Sequence, residues 1–282
     1  MNIWKKAILA LLCCMVTVAP AIAAESIVIK GSTTVLPIAQ GALEGYMKAN
    51  KGVQISLSGG GSGEGIKAII DNTADIGNSS REIKKEEIAF AGKKGIKPVA
   101  HVVAFDALVP VVHNSNPVKD LSTEQLSLIY QGKITNWKEV GGKDMKIVVI
   151  SRDSSSGTFE SWDHFVMKKA KVSPRAQMLA SNGAVYTAVS KNRYSIGYLG
   201  MGYVKKGVKA VNVGGVQATP ETALSRQYPM SRELYMYTNG EPRGETAKFL
   251  AFVKSPAGQK IVATNGFVPL KADVPATKGK KK

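Results

Sequence analysis

Between Ser26 and His113 the chain alternates short apolar runs with stretches of helical periodicity. That alternation limits the fold more than any other feature. SIVIK (26–30) is apolar and is broken by the small residues GSTT, as a strand would be. Val35, Ile38, Ala39, Ala42, Leu43, Tyr46 and Met47 then recur at helical spacing. Pro37 sits in the first turn, where its missing N–H does no harm. QISLS (54–58) alternates as a strand, Ile66, Ile69 and Ile70 mark a helix, and ADIG (74–77) reads as a short strand. REIKKEEIAFAGKKG (81–95) is helical, and PVAHVVAFDALVPVVH (98–113) is strand-rich and long. Strand and helix in strict turn predict an α/β fold with a largely parallel sheet.

A second block repeats the alternation. LSTEQLSLIYQGK (121–133) is helical, with Ser122 and Gln125 spaced as a capping box. MKIVVIS (145–151) is a buried strand. SGTFESWDHFVMKKA (156–170) is a helix with Phe159, Trp162, Phe165 and Val166 on one face. NGAVYTAVSKN (182–192) is helical and YSIGYLG (194–200) a strand. ELYMYT (233–238) and then GETAKFLAFVKSPAGQKIVATNG (244–266) close the chain as a strand and helices. Two α/β lobes joined by extended strands fit this order better than one long sheet.

The first 24 residues are expected to be a secretory signal peptide. Lys5 and Lys6 precede an apolar run from Ala7 to Val18, and Ala21-Ile22-Ala23 supplies the small residues of a cleavage site. Both cysteines, Cys13 and Cys14, lie inside it, so the exported chain would be held by its core without disulfides. Lipid anchoring at Cys13 is disfavoured, because the larger Leu12 precedes it and the apolar run continues beyond. The net charge of +17 draws anions. The lysines are dispersed and no aromatic platform accompanies them, which argues against nucleic acid. The KGKKK end reads as a solvated tail.

Four times a strand runs into small hydroxyl residues just before a helical pattern: GSTTV (31–35), GGGSGEG (59–65), NSSR (78–81) and RDSSSGT (152–158). A helix start offers unpaired N–H groups and partial positive charge, hydroxyls add donors, and glycine allows close approach. Each loop alone is equally an ordinary cap or turn. Four together, two beside an arginine, suggest an anion site at the carboxyl ends of the strands. Rival motifs fail on the same residues. Gly60 and Gly65 have P-loop spacing, but Ile66 stands where lysine is required. A nucleophile elbow on Ser62 would need glycine where Glu64 stands. His101, His113 and His164 show no metal spacing. An enzyme is therefore poorly supported.

GSTTVLPIA, GGGSGEGIKAI, ADIGNSSR, IYQGKITNW and RDSSSGT, in that order, resemble the Pst-type phosphate-binding proteins that supply an ABC transporter. The likeness runs from Ile27 to about Leu270, and IYQGKITNW and RDSSSGT are its most specific parts. It implies a two-lobed periplasmic binding protein fold of type II. Residues 25–107 and 229–272 would form lobe 1, 108–228 lobe 2, and 273–282 a basic flexible tail. Ala104–Val112 and Arg232–Thr238 would be the crossovers. It also implies a monomer that binds inorganic phosphate, holds no cofactor or metal, and meets the permease and ATPase subunits of an importer.

Carried over residue by residue, the resemblance places phosphate on Thr34 and Val35, with Ser32 and Thr33 as close alternatives. Ser62, Arg152, Ser156, Gly157 and Thr158 complete the set. Where many relatives carry an aspartate that accepts the phosphate proton, this chain has Ser80, followed by Arg81 as a possible second cationic ligand. Glu64, Asp106 and Asp153 are candidate replacement acceptors. Asp153 could alternatively orient Arg152 or cap the helix. Other readings are a receptor for sulfate, molybdate or tungstate and, less well supported, an exported phosphoester hydrolase.

Overall fold

The computed structural model describes residues 26–270; the expected signal peptide and basic tail lie outside the described residues. The first half of the chain forms β1 (Ser26–Gly31), α1 (Leu36–Ala49), β2 (Gln54–Gly59), α2 (Ser62–Ile70), β3 (Ile76–Ser79), α3 (Lys85–Lys93) and the long β4 (Pro98–His113). Then come β5 (Asp120–Leu121), α4 (Thr123–Tyr130), β6 (Val148–Arg152), α5 (Gly157–Trp162), β7 (Gln177–Leu179), α6 (Asn182–Lys191) and β8 (Ser195–Gly200). β9 (Val208–Ala210), β10 (Asn212–Val213) and α7 (Pro220–Leu224) lead to β11 (Ser231–Asn239). α8 (Gly244–Lys254) and α9 (Pro256–Thr264) follow it.

The main sheet runs β2-β1-β3-β11-β4-β8-β6-β7, with β9 also on β4. It is mixed rather than largely parallel. β1 pairs in parallel with β2 and β3, and β6 with β7 and β8. The two strands between these groups are antiparallel to their neighbours. The cause is length: sixteen-residue β4 pairs with β11 along Pro98–Ala107 and with β8 along Leu108–Val112. β4 thus joins β8 directly and reaches the other parallel group through β11, which pairs with β3.

Each parallel group has its own core. Ile27, Ile29, Ile38, Val103, Leu234, Met236, Phe249 and Val262 pack in one. Leu108, Val111, Ile129, Trp137, Ile150, Trp162, Val189 and Ile196 pack in the other. Burying a side chain of this size contributes about 1.5–3 kcal/mol, so each half carries its own stabilisation. Ser122 Oγ accepts from Gln125 N at 3.0 Å, and Gln125 Oε1 accepts from Ser122 N at 2.9 Å. That reciprocal cap starts α4 as its sequence indicates.

Two helices differ from expectation. α3 starts at Lys85, because Glu87 Oε2 reaches back to the Lys84 N–H at 2.8 Å. Arg81–Ile83 therefore stay outside it. The helix begun by α5 widens into a π turn over Asp163–Met167 and stops at Lys168, whose φ is 48°. Trp162 and Val166 remain buried, while Phe159 and Phe165 are only half-buried.

Candidate anion-binding site

Three loops interlock at the carboxyl ends of β1, β2 and β3. Gly31 O accepts from Gly60 N at 2.9 Å and from Gly61 N at 3.1 Å, and Asn78 O accepts from Ser32 N at 2.9 Å. Ser62 Oγ accepts from Ser80 N at 2.9 Å and lies 3.3 Å from Ser80 Oγ. Gly61 has φ 109° and an added Cβ would stand 2.6 Å from Ser155 Oγ. A side chain there would meet both backbone strain and collision.

The RDSSSGT loop meets this edge from the other half. Gly63 N donates to Ser155 O at 3.0 Å, and Ser155 Oγ donates to Gly60 O at 2.9 Å. Thr34 Oγ1 and Thr158 Oγ1 are 2.9 Å apart. Ser156 caps α5 by accepting from Phe159 N at 3.1 Å. Gly157 passes so close to Ser62 that an added Cβ would collide with its hydroxyl and lie 2.9 Å from Ser80 Oγ. Ser32, Thr33, Thr34, Ser62, Ser80, Arg152, Ser156, Gly157 and Thr158 are all buried, as is Val35, which packs in the core with Ile27, Ile29 and Ile38.

Arg152 supplies the charge. Its side chain is 1 % exposed. Nε donates to Leu179 O at 2.9 Å and Nη2 to Ala180 O at 2.8 Å. Nη1 is buried with no hydrogen-bond partner. No carboxylate forms an ion pair with this guanidinium among the described residues. Burial pulls its pKa below the usual arginine value. Asp153 caps its own loop instead, accepting from Ser155 N at 2.9 Å and Ser155 Oγ at 2.5 Å.

Arg81 is not brought to the seam as a free cation. Its Nη1 and Nη2 donate to Glu87 at 2.8 Å each, and Nε lies 2.9 Å from Glu160 Oε1. Glu160 also pairs with Lys84 at 2.6 Å. Two carboxylates thus pair with Arg81, while the side-chain hydrogen bonds of Arg152 go to carbonyls. NSSR consequently contributes Ser80 from a turn, not from a helix start.

Three further residues join the seam: two that sequence did not indicate, and Asn78, which opens the NSSR loop but was not named as a ligand. Asn182, at the start of α6, donates from Nδ2 to Thr33 Oγ1 at 3.1 Å and Thr34 Oγ1 at 3.0 Å. Tyr203 donates to Thr33 O at 2.6 Å. Asn78, two residues before Ser80, holds the only buried side-chain oxygen without a partner among the described residues; its Nδ2 is unpartnered too. A serine just before a helical run, Ser181 at the N-cap of α6, was the available signal for Asn182. Of the acceptor candidates, Glu64 is exposed. Asp106 is fully buried, accepting from Met201 N at 2.9 Å and from Arg232. Among the described residues no His, Cys, Asp and Glu grouping could hold a metal ion.

A tight, hydroxyl-rich seam with a buried guanidinium that no carboxylate ion-pairs fits a small anion, and known proteins agree. Residues 17–257 match the family model of the PBP superfamily domain. The phosphate-binding protein PstS of Borreliella burgdorferi is 36% identical over 255 residues, covering 86% of this chain and 89% of that protein. PstS of Bacillus subtilis is 33% identical, covering 88% and 82%. Among solved structures, a protein from Clostridium perfringens assigned as a phosphate ABC transporter substrate-binding protein, with phosphate bound, is 38% identical. It covers 88% of this chain and all of that one, at a TM-score of 0.81. The chain belongs to the Pst-type family of phosphate-binding proteins.

Proposed function

We propose that this protein captures inorganic phosphate outside the cytoplasm and hands it to an ABC importer, acting as a receptor with no chemistry done on the ligand. The observation that carries this reading is Arg152, a buried guanidinium with no ion-paired carboxylate among the described residues and with Nη1 unpartnered, beside a seam of hydroxyls. A buried charge lacking a counter-charge costs several kcal/mol, and a bound anion offsets that cost. Charge-assisted bonds to it are roughly twice as strong as neutral ones.

In this reading the ligand shell is Ser32, Thr33, Thr34, Val35, Ser62, Ser80, Arg152, Ser156, Gly157 and Thr158, with Asn182 added. Their hydroxyls now bond one another, as in the 2.9 Å pair of Thr34 and Thr158; phosphate oxygens take over those donors. Arg81 stays outside the shell. The lobes are assigned as 25–107 with 229–272, and 108–228. The signal peptide directs the chain to the periplasm. There it works as a monomer, with no metal or other cofactor, and delivers its cargo to the permease and ATPase subunits.

The donor-rich shell also supports a second reading, a receptor for tetrahedral oxyanions in general. A serine hydroxyl at position 80 can accept from phosphate or donate to sulfate. Titration with phosphate and sulfate, followed by Trp162 emission and by calorimetry, separates the two. Trp162 stacks on Tyr198 at 4.3 Å, and the Tyr198 hydroxyl accepts from Arg152 N at 3.1 Å, so the probe adjoins the site. Tight phosphate binding with sulfate ignored supports the phosphate receptor, equal binding supports the general one, and binding of neither refutes both.

A further inference from the structure

We propose that Arg232 is a positioning residue that fixes Thr158 as a hydrogen-bond donor and so ties the hinge strands to the ligand shell. The inference rests on the reading that Thr158 contacts the anion. Arg232 on β11 stands opposite Asp106 on β4 in the antiparallel ladder, where the two crossover strands run side by side. Nε and Nη2 both reach Asp106 Oδ2, at 2.9 and 2.8 Å. Asp106 Oδ1 is taken by Met201 N. Asp106 is fully buried and Arg232 is 9 % exposed.

A buried ion pair of this kind is seldom more stabilising than apolar residues in its place. Its use here follows from where the remaining N–H groups go. Nη1 donates to Ser161 Oγ at 3.2 Å and Nη2 to Thr158 Oγ1 at 3.3 Å. Ser161 in turn donates to Gly157 O at 2.9 Å. One guanidinium therefore holds two successive turns of α5, the helix whose first residues line the seam.

The effect on Thr158 is chemical as well as steric. Guanidinium donates and cannot accept, so the bond occupies a lone pair of Thr158 Oγ1 and leaves its proton to be directed elsewhere. Thr34 Oγ1, 2.9 Å away, marks that direction. The adjacent positive charge polarises the O–H bond and strengthens the donor. An anion oxygen placed at Thr158 is thus selected to be unprotonated.

The test is a double-mutant cycle on phosphate affinity by calorimetry, with thermal unfolding of every variant. The variants are Thr158→Val, the charge-neutral pair Asp106→Asn with Arg232→Gln, and all three substitutions together. Arg232→Lys, alone and with Thr158→Val, forms a second cycle. It keeps a cation beside Asp106 and loses the fork, so the question is answered even where the charge-neutral pair does not fold. Removing the Arg232 fork is expected to weaken phosphate binding about tenfold when Thr158 is present. With Thr158→Val the same change should cost about twofold or less, because nothing is left to position. Equal costs in both backgrounds would overturn the proposal and make Arg232 a structural brace. A Thr158→Val variant that binds phosphate normally would instead overturn the reading of the ligand shell, and this proposal with it.

Discussion

Arg152→Ala tests the charge on which the functional reading turns. A charge-assisted hydrogen bond contributes about 1.5–3 kcal/mol, so phosphate affinity should fall about 10- to 150-fold at 1.4 kcal/mol per decade. Thermal shift is a direct assay. At phosphate about 1,000 times the wild-type Kd, binding adds about 4.1 kcal/mol to stability; a variant a hundredfold weaker gains only about 1.4 kcal/mol there. At roughly 2–4 °C per kcal/mol for a chain of this size, the phosphate-induced rise in Tm should drop from about 8–16 °C to about 3–6 °C. Without phosphate, two effects oppose each other. The variant loses the bonds from Nε to Leu179 O and from Nη2 to Ala180 O, but it also loses a buried charge that no carboxylate ion-pairs among the described residues. Its phosphate-free Tm should therefore move less than the phosphate-induced part. The reasoning fails if the phosphate-free Tm falls while the phosphate shift stays intact. That result would mean Arg152 only braces the loop after β7.

Gly157→Ala adds a good helix former at the first position of α5, yet its Cβ would collide with Ser62 across the seam. Phosphate binding should be lost with folding retained, and normal affinity by calorimetry would show that the halves close differently. Glu160→Gln removes the ion pairs to Arg81 and Lys84 that join the two halves beside the seam. Stopped-flow release of phosphate should speed up roughly fivefold, for about 1 kcal/mol, and depend less on salt; an unchanged rate would exclude a latch. Burial depresses the His101 pKa, with Lys254 adding to it, so the folded state favours the neutral ring. That stability is complete above the unfolded value of about 6.5 and is lost as pH falls below it. A His101→Gln variant should unfold with a flatter pH profile, and an unaltered profile would remove His101 from the account. Asn78→Leu removes two buried unpartnered atoms, so Tm should rise. A fall would show that the side chain is hydrogen-bonded in solution.

The fold was legible where local pattern decides it. β1, α1, β2, α2 and β3 follow from apolar spacing and from the small residues that break it. The long apolar segment at 98–113 was legible as a strand, but its direction relative to its neighbours was not. Antiparallel pairing of β4 with β11 joins Asp106 to Arg232, residues far apart in sequence, and no local signal carries that. The π turn at Asp163–Met167 was hidden for a similar reason. Its sequence is compatible with a straight helix.

The seam shows the same division more sharply. Hydroxyls and glycines at strand ends announced themselves because their uses are local: capping, tight turns, close backbone approach. The two arginines beside serines, Arg81 and Arg152, were indistinguishable by that standard. Their difference lies in what the fold sets against each. Glu87 and Glu160 neutralise Arg81, whereas the chain after β7 offers Arg152 only the carbonyls of Leu179 and Ala180. Carbonyls orient a guanidinium without cancelling its charge. A cation held that way keeps most of its field for an incoming anion, and one held by two carboxylates does not. On the proposed reading, the arginine that receives the ligand is set by the acceptors packed around it and not by the motif in which it sits.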